Sequence, residues 1–276
     1  MWQRLRSFAL PTGFAVLGAL WMVAPTAAQA QTNVNYNFED GQLRGDPTKM
    51  QVPPKILSEN GNEFMRITGS SGDKQSIPAS KPNRNRSTVE FTSHYTDMPT
   101  ISEANRRQTY SAKMRYTKQP QNSGVNFELF QGAPGGEGGY GTRNGTGPVI
   151  QGWRKTDGHV IFRANYANET KWDSVDMGYV ALNSWHTYTV KAIWSHDPKQ
   201  GRIEIYFDGK LKKTISGRDT NLGPDSNRLP MFKLGMYGDY AVGVIDVDNV
   251  QALPTPAPTP SVALSAPTNI RLVSGQ

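Results

Sequence analysis

Lys233, Gly235 and Tyr237 occupy alternate positions in the run Met-Phe-Lys-Leu-Gly-Met-Tyr at 231–237, where Phe232, Leu234 and Met236 take the intervening places. In a strand, a period of two puts the apolar set against a core and the cation, glycine and phenol on the opposite face. Lys233 and Tyr237 would then stand roughly 13 Å apart, at about 3.3 Å per residue. A cation and a phenol flanking a position without a side chain suit an acidic sugar chain laid on the sheet. A solvent-facing lysine beside a packed tyrosine is the plainer account of the same pattern.

Other chemistries find less support. His94, His159, His186 and His196 show neither the H-x-E nor the H-x-x-x-H spacing of a zinc site. No strand offers the E-x-D-x-x-E carboxylates of a sandwich glycosidase, and Glu204 shares its polar face with Arg202 and Tyr206. P-loop, dinucleotide and nucleophile-elbow signatures are missing too. Among the acids, Glu39 lies in Y-N-F-E-D-G (36–41), and Asp246 and Asp248 lie in I-D-V-D-N-V (245–250). An early and a late strand of this kind pair in many sandwiches, with a hard cation bridging their oxygens. Glu39 and Asp248 are therefore the candidate ligands of a structural calcium, with no cofactor needed for catalysis. Ordinary turn acids would look the same.

The elements that must position these residues are strands. Short runs of period-two alternation recur between Gly, Pro, Asn and Asp, while long helical patterns are missing. At 109–116, Tyr110, Ala112, Met114 and Tyr116 share one face; at 187–194, Tyr188, Val190, Ala192 and Trp194 do. Ile203, Ile205 and Phe207 precede Asp208-Gly209, a hairpin signal, and the chain returns over 210–215. Further strands are expected at 125–131, 159–166, 232–237 and 244–250. Residues 132–147 hold eight glycines and read as a long loop. The fold class is all-β: a jelly-roll sandwich of two antiparallel sheets.

The N-terminal thirty residues begin with Arg4 and Arg6, continue through an apolar stretch interrupted by Pro11 and Gly13, and reach Ala28-Gln29-Ala30. This is the pattern of a secretory signal peptide cleaved after Ala30, which leaves no membrane span and an extracellular or periplasmic protein. The domain occupies 31–253, a Pro/Thr-rich linker 254–264, and the stub of a fibronectin-type module or a disordered tail 265–276. With no cysteine, the domain depends on its own core. The net charge of +7 includes Arg4 and Arg6 of the signal peptide, so the chain after cleavage carries 7 − 2 = +5, which suggests an anionic partner such as an acidic polysaccharide. The basic residues are scattered and no nucleic-acid motif accompanies them, so nucleic acid is not expected; a monomer is.

From Trp185 to Tyr237 the chain reads W-H-T-Y-T-V-K-A-I-W, then G-R-I-E-I-Y-F-D-G-K-L, then M-F-K-L-G-M-Y. These motifs resemble the jelly-roll polysaccharide lyases, in particular the glucuronan lyases and the related heparin and alginate lyases. F-K-x-G-x-Y is the most specific of them, and a weaker likeness extends over 90–131. The resemblance implies cleavage of a uronic-acid-containing polysaccharide, glucuronan- or alginate-like, by β-elimination and in endo fashion. In glucuronan lyases a His, a Gln and a Tyr act in that chain order, which here match His94, Gln131 and Tyr237. Tyr237 would shuttle the proton, Gln131 would neutralise the uronate carboxylate, and His94 would contact it or serve as auxiliary base. Lys233 and Arg86 would hold neighbouring uronates. Two departures bear on this. Gln131 is followed by Gly132-Ala133-Pro134 where the family often has Q-x-H, and it shares its alternation with the core residues Val125, Phe127 and Leu129. A non-catalytic carbohydrate-binding module, with Trp153 and Trp172 stacking on sugars, is the alternative. The two differ in whether Tyr237, Gln131 and His94 converge.

Overall fold

Alternating burial builds the structure, a computed structural model that describes residues 33–47, 52–70, 84–95, 97–119, 125–132, 147–165, 172–222, 227–239 and 242–256, with backbone only at 84–86 and 238–239. One sheet has the order β13 (Lys210–Ser216), β12 (Arg202–Phe207), β11 (His186–Ile193), β6 (Arg107–Lys118), β15 (Gly243–Pro254), β4 (Asn62–Gly69), β3 (Lys55–Glu59). β1 (Val34–Tyr36) also pairs with β15. The other sheet runs β10 (Asp173–Tyr179), β9 (His159–Ala164), β8 (Gly147–Arg154), β7 (Val125–Gln131), β14 (Met231–Asp239), β5 (Arg84–Glu90), β2 (Asp46–Pro47). The ladders are antiparallel. The fold is an all-β jelly-roll sandwich.

Each sheet turns one face inward. Tyr110, Ala112, Met114 and Tyr116 of β6, with Tyr188 and Val190 of β11, meet Phe127 and Leu129 of β7 and Phe232, Leu234 and Met236 of β14 in a single buried cluster. Aromatic contacts cross between the sheets: Tyr110 meets Phe232 edge-on with ring centroids 5.8 Å apart, and Phe162 stacks on Tyr188 at 5.7 Å. The side chains of β7, β8, β9 and β14 that alternate with this core form the outer face of the seven-stranded sheet. That face is the platform for the site.

The turn chemistry is local. Asp208 (φ 48°) and Gly209 (φ 74°) both adopt left-handed backbone between β12 and β13, which sets the tight hairpin. Asn60-Gly61 does the same between β3 and β4, with φ of 53° and 80°. Some boundaries differ from the sequence expectation. β1 ends at Tyr36 rather than continuing to Gly41, because Phe38 (φ 62°) and Gly41 (φ 68°) turn the chain. β9 stops at Ala164, two residues early. β15 runs on to Pro254, held by the Thr255 N–H donating to the Arg107 carbonyl at 2.9 Å. The expected signal peptide, most of the glycine-rich loop (133–146) and the tail beyond 256 lie outside the described residues. Among the described residues no helix is long and apolar enough to cross a membrane.

Candidate active site

A row of polar side chains crosses the outer face of the seven-stranded sheet. The strand registers place Glu90, Lys233, Glu128, Gln151 and Arg163 opposite one another on β5, β14, β7, β8 and β9. Lys233 Nζ lies 2.6 Å from Glu128 Oε2, and both side chains are only 3–4% exposed. Gln151 turns its amide nitrogen toward Glu128 Oε1 (3.4 Å) and accepts on Oε1 from Arg163 Nε at 2.9 Å and from Arg163 Nη2. Glu128 is thus flanked by two cations. Burial lowers the proton affinity of the Arg163 guanidinium, and the Glu128 charge works against that. A buried carboxylate so placed needs its ammonium partner, since the desolvation cost is offset only while the pair is intact.

Tyr237 joins this row through Lys233, whose Nζ lies 5.4 Å from the centre of its ring. The sequence expectation of two side chains standing far apart is corrected, and Gly235 explains the change. Its φ of 152° lies in a region that favours glycine, and a Cβ there would sit 2.2 Å from the Ser87 carbonyl oxygen. The register of β14 against β7 slips between Leu234 and Tyr237, a bulge that re-aims the tyrosine. Gly235 is small because β5 backbone occupies the space, not to admit a sugar ring. Lys233 is likewise not a surface cation offered to a neighbouring sugar: it is buried and paired.

Gln131 is placed differently from the sequence expectation. It is fully buried on the core side of β7, and its amide is engaged at both ends. Nε2 donates to Asn221 Oδ1 at 3.0 Å and to the Arg228 carbonyl at 2.8 Å, while Oε1 accepts from the Leu222 N–H at 2.8 Å. Gln131 thus keeps the parity of Phe127 and Leu129 although the β7–β8 register shifts twice along the strand, and its bonds tie down the segment before β14. Gly132 follows it because the Tyr95 ring packs there, with a Cβ placed only 2.1 Å from Tyr95 Cδ2. His94 is exposed and reaches the row by a chain of ring contacts. It packs on Tyr95 (4.2 Å between centroids), Tyr95 on Phe130 (5.1 Å), and Lys233 Nζ lies 4.8 Å from the Phe130 ring. Arg86 is the backbone partner of Tyr237 in the β5–β14 ladder, and its side chain is outside the described residues. Of the expected residues, then, Lys233 and Tyr237 come together, His94 ends the line of rings, and Gln131 belongs to the core side.

Glu128, Gln151 and Arg163 were missed in the sequence. The signal was present for Glu128, since the polar set of β7 must face away from Phe127 and Leu129. At the far end of the row, Arg163 Cζ lies 4.0 Å from the centre of the Trp172 ring and 5.3 Å from that of Trp153, and Trp172 is 50% exposed. Of the expected calcium ligands, Asp248 lies on β15 of the other sheet and Glu39 in the turn after β1. The Glu39 charge contributes to raising the Asp248 carboxyl above its ordinary range, after the larger effect of burial. Asp248 Oδ1 accepts from the Asn249 N–H at 2.7 Å, and Oδ2 lies 3.8 Å from Lys113 Nζ. Among the described residues no group of three His, Cys, Asp or Glu side chains assembles into a metal site.

Residues 32–251 match the polysaccharide lyase family model, and the chain belongs to that family; it is a polysaccharide lyase. No curated protein sequence matches it. Solved structures with the same fold include alginate lyase Aly36B, at a TM-score of 0.50 and 13% identity over 80% of this chain and 96% of that one. A variant of it with a lysine and a tyrosine replaced by alanine, in complex with alginate tetrasaccharide, gives 0.52 and 12% over 82% and 98%. Alginate lyase A1-II′, a member of polysaccharide lyase family-7, gives 0.52 and 10% over 72% and 83%. At these identities the likeness is one of fold.

Proposed function

We propose that this lyase is secreted and cleaves a uronic-acid-containing polysaccharide, glucuronan- or alginate-like, by endo-acting β-elimination on the outer face of the seven-stranded sheet. The observation that carries the reading is the approach of Lys233 Nζ to the Tyr237 ring beside the buried Glu128. Elimination removes the C5 proton of a uronate and expels the oxygen at C4. The electron pair of the C5–H bond becomes the C4–C5 double bond, and the leaving oxygen takes up a proton. A tyrosine can take the first proton as its phenolate and return it as the phenol to the leaving oxygen when both lie on one side of the ring. Lys233, held by Glu128, keeps a fixed positive charge beside that phenol, a preorganised electrostatic arrangement. With Gln131 on the core side, the uronate carboxylate is left to Arg86, in register with Tyr237, and to His94 at the end of the ring line. The alginate named for the structural neighbours supports an acidic uronan as the polymer.

Tyr237→Phe should lower turnover by about 10²–10⁴-fold, the usual contribution of a positioned acid–base group, while the thermal melt stays unchanged. The assay is the ultraviolet absorbance of the unsaturated uronate released from a panel of acidic polysaccharides. Near-normal turnover would remove Tyr237 from the role, and a wild-type protein that binds a uronan but releases no unsaturated product would overturn β-elimination.

The structural calcium remains part of this proposal. Glu39 and Asp248 would supply the carboxylate oxygens that calcium takes, and a cation on Asp248 Oδ2 would displace the amide nitrogens of Asn62 and Asn249 that now donate to it at 3.4 and 3.1 Å. Two carboxylates are too few for a dedicated cage, so water would complete the shell.

A further inference from the structure

Arg163 has more hydrogen-bonding capacity than the row uses. Nε and Nη2 donate to Gln151 Oε1. Among the described residues, no hydrogen bond or ion pair engages Nη1, and Nη2 carries a second hydrogen. The end of the guanidinium that remains is the two-pronged edge that matches a carboxylate. Its plane is fixed by the Trp172 and Trp153 rings and by Gln151, so little side-chain freedom is lost when an anion binds. Trp172 also presents half of its surface to solvent on β10's approach, and an indole face is suited to the C–H face of a pyranose.

Distance assigns this arrangement a separate task. β9 is three strands from β14, so Arg163 stands about 14 Å across the sheet from the Lys233–Tyr237 centre at roughly 4.8 Å per strand. A single pyranose ring does not reach from one to the other. We propose that Arg163, with Trp172 and Trp153, forms a distal subsite that holds the carboxylate and ring face of a uronate other than the one being cleaved. This rests on the lyase reading, and it makes Arg163 a determinant of specificity: the enzyme prefers chains charged at the distal sugar as well as at the reacting one.

The test uses Arg163→Ala, Arg163→Lys and Trp172→Ala in the full chain, assayed on uronate oligosaccharides of increasing length and on a polymer. The KM of the wild type should fall, a gain in binding, as the oligosaccharide grows long enough to reach β9. Arg163→Ala should lose that gain, with KM for the polymer about tenfold higher, equivalent to about 1.4 kcal/mol, and a much smaller change in kcat. Arg163→Lys should behave like the alanine variant, because lysine offers neither a planar fork nor the same stacking. Trp172→Ala, whose ring meets the polar row at Arg163, should move KM in the same direction.

A fall of kcat in step with kcat/KM for Arg163→Ala, with Trp172→Ala silent, would show that Arg163 acts through Gln151 and Glu128 and would overturn the subsite. So would a KM equal to the wild type. Retardation in gels cast with the polysaccharide needs no turnover and separates the two readings. A wild type that is retarded without cleaving, beside an unretarded Arg163→Ala, would sink the elimination chemistry and keep the subsite. Normal cleavage with equal retardation of both would do the reverse. Circular dichroism and the melting temperature confirm that each variant is folded.

Discussion

At the scale of single residues the decisive fact is that Lys233 has Glu128 as its partner. The sequence pattern already put Lys233 and Tyr237 on one face, opposite Phe232, Leu234 and Met236, and that division holds. It could not supply Glu128, which is more than a hundred positions away and becomes a neighbour only through the β7–β14 register. Lys233→Ala would leave the Glu128 carboxylate buried without its counter-charge, a loss of about 3–5 kcal/mol and a melting temperature lower by on the order of 10 °C. The single variant therefore mixes folding with function. Lys233→Met combined with Glu128→Leu removes both charges, and replacement of a buried pair by apolar groups is often neutral. The double variant should regain most of the lost stability yet stay inactive on a uronan. Calorimetry alongside the absorbance assay checks this, and an active double variant would mean that the pair serves the fold alone.

At the scale of elements, most strands were legible because the core is built by alternation. Strands β6, β7, β11, β12 and β14 follow their apolar positions closely. The β3–β4 hairpin was overlooked although Asn60-Gly61 announces it. Gly235 shows why the site was only half readable. Its role depends on the Ser87 carbonyl of another strand, and the resulting slip in register sends Tyr237 toward Lys233. Gln131 teaches the opposite lesson. The family pattern assigned it to the substrate, whereas the simple period of two grouped it with Phe127 and Leu129, and its amide is buried and hydrogen-bonded at both ends. Gln131→Ala should accordingly act as a packing variant. It leaves the Leu222 N–H and the Arg228 carbonyl without their partners, at about 1–3 kcal/mol for each buried group left unsatisfied. Chemical denaturation should show that loss. A variant that keeps full stability but loses kcat selectively would return Gln131 to the chemistry.

At the scale of the whole molecule, the early strand β1 lies beside the late strand β15, with Glu39 just past the first and Asp248 within the second. This meeting of distant segments was expected from Y-N-F-E-D-G and I-D-V-D-N-V, and it makes the two carboxylates close enough for one to affect the proton affinity of the other. For Asp248 the folded state holds its proton more tightly than the ordinary value of 3.8. Its ionised form therefore weakens the fold above the raised folded pKa, and that penalty disappears as the pH falls through it toward the unfolded value. A cation seated between Glu39 and Asp248 would relieve the same penalty and add its own binding free energy, which grows as the logarithm of its concentration. Calcium should consequently raise the melting temperature at neutral pH, and a chelator should reverse the rise. As the pH falls through the raised range of Asp248, protons compete with the metal, so the calcium-dependent shift should fade at a higher pH than an unperturbed aspartate would allow. Glu39→Gln should shrink the shift at every pH, since Glu39 is exposed and its amide keeps the shape without the charge. A melting temperature indifferent to calcium across this range would assign the charge balance of Asp248 to Lys113 and the neighbouring asparagines alone.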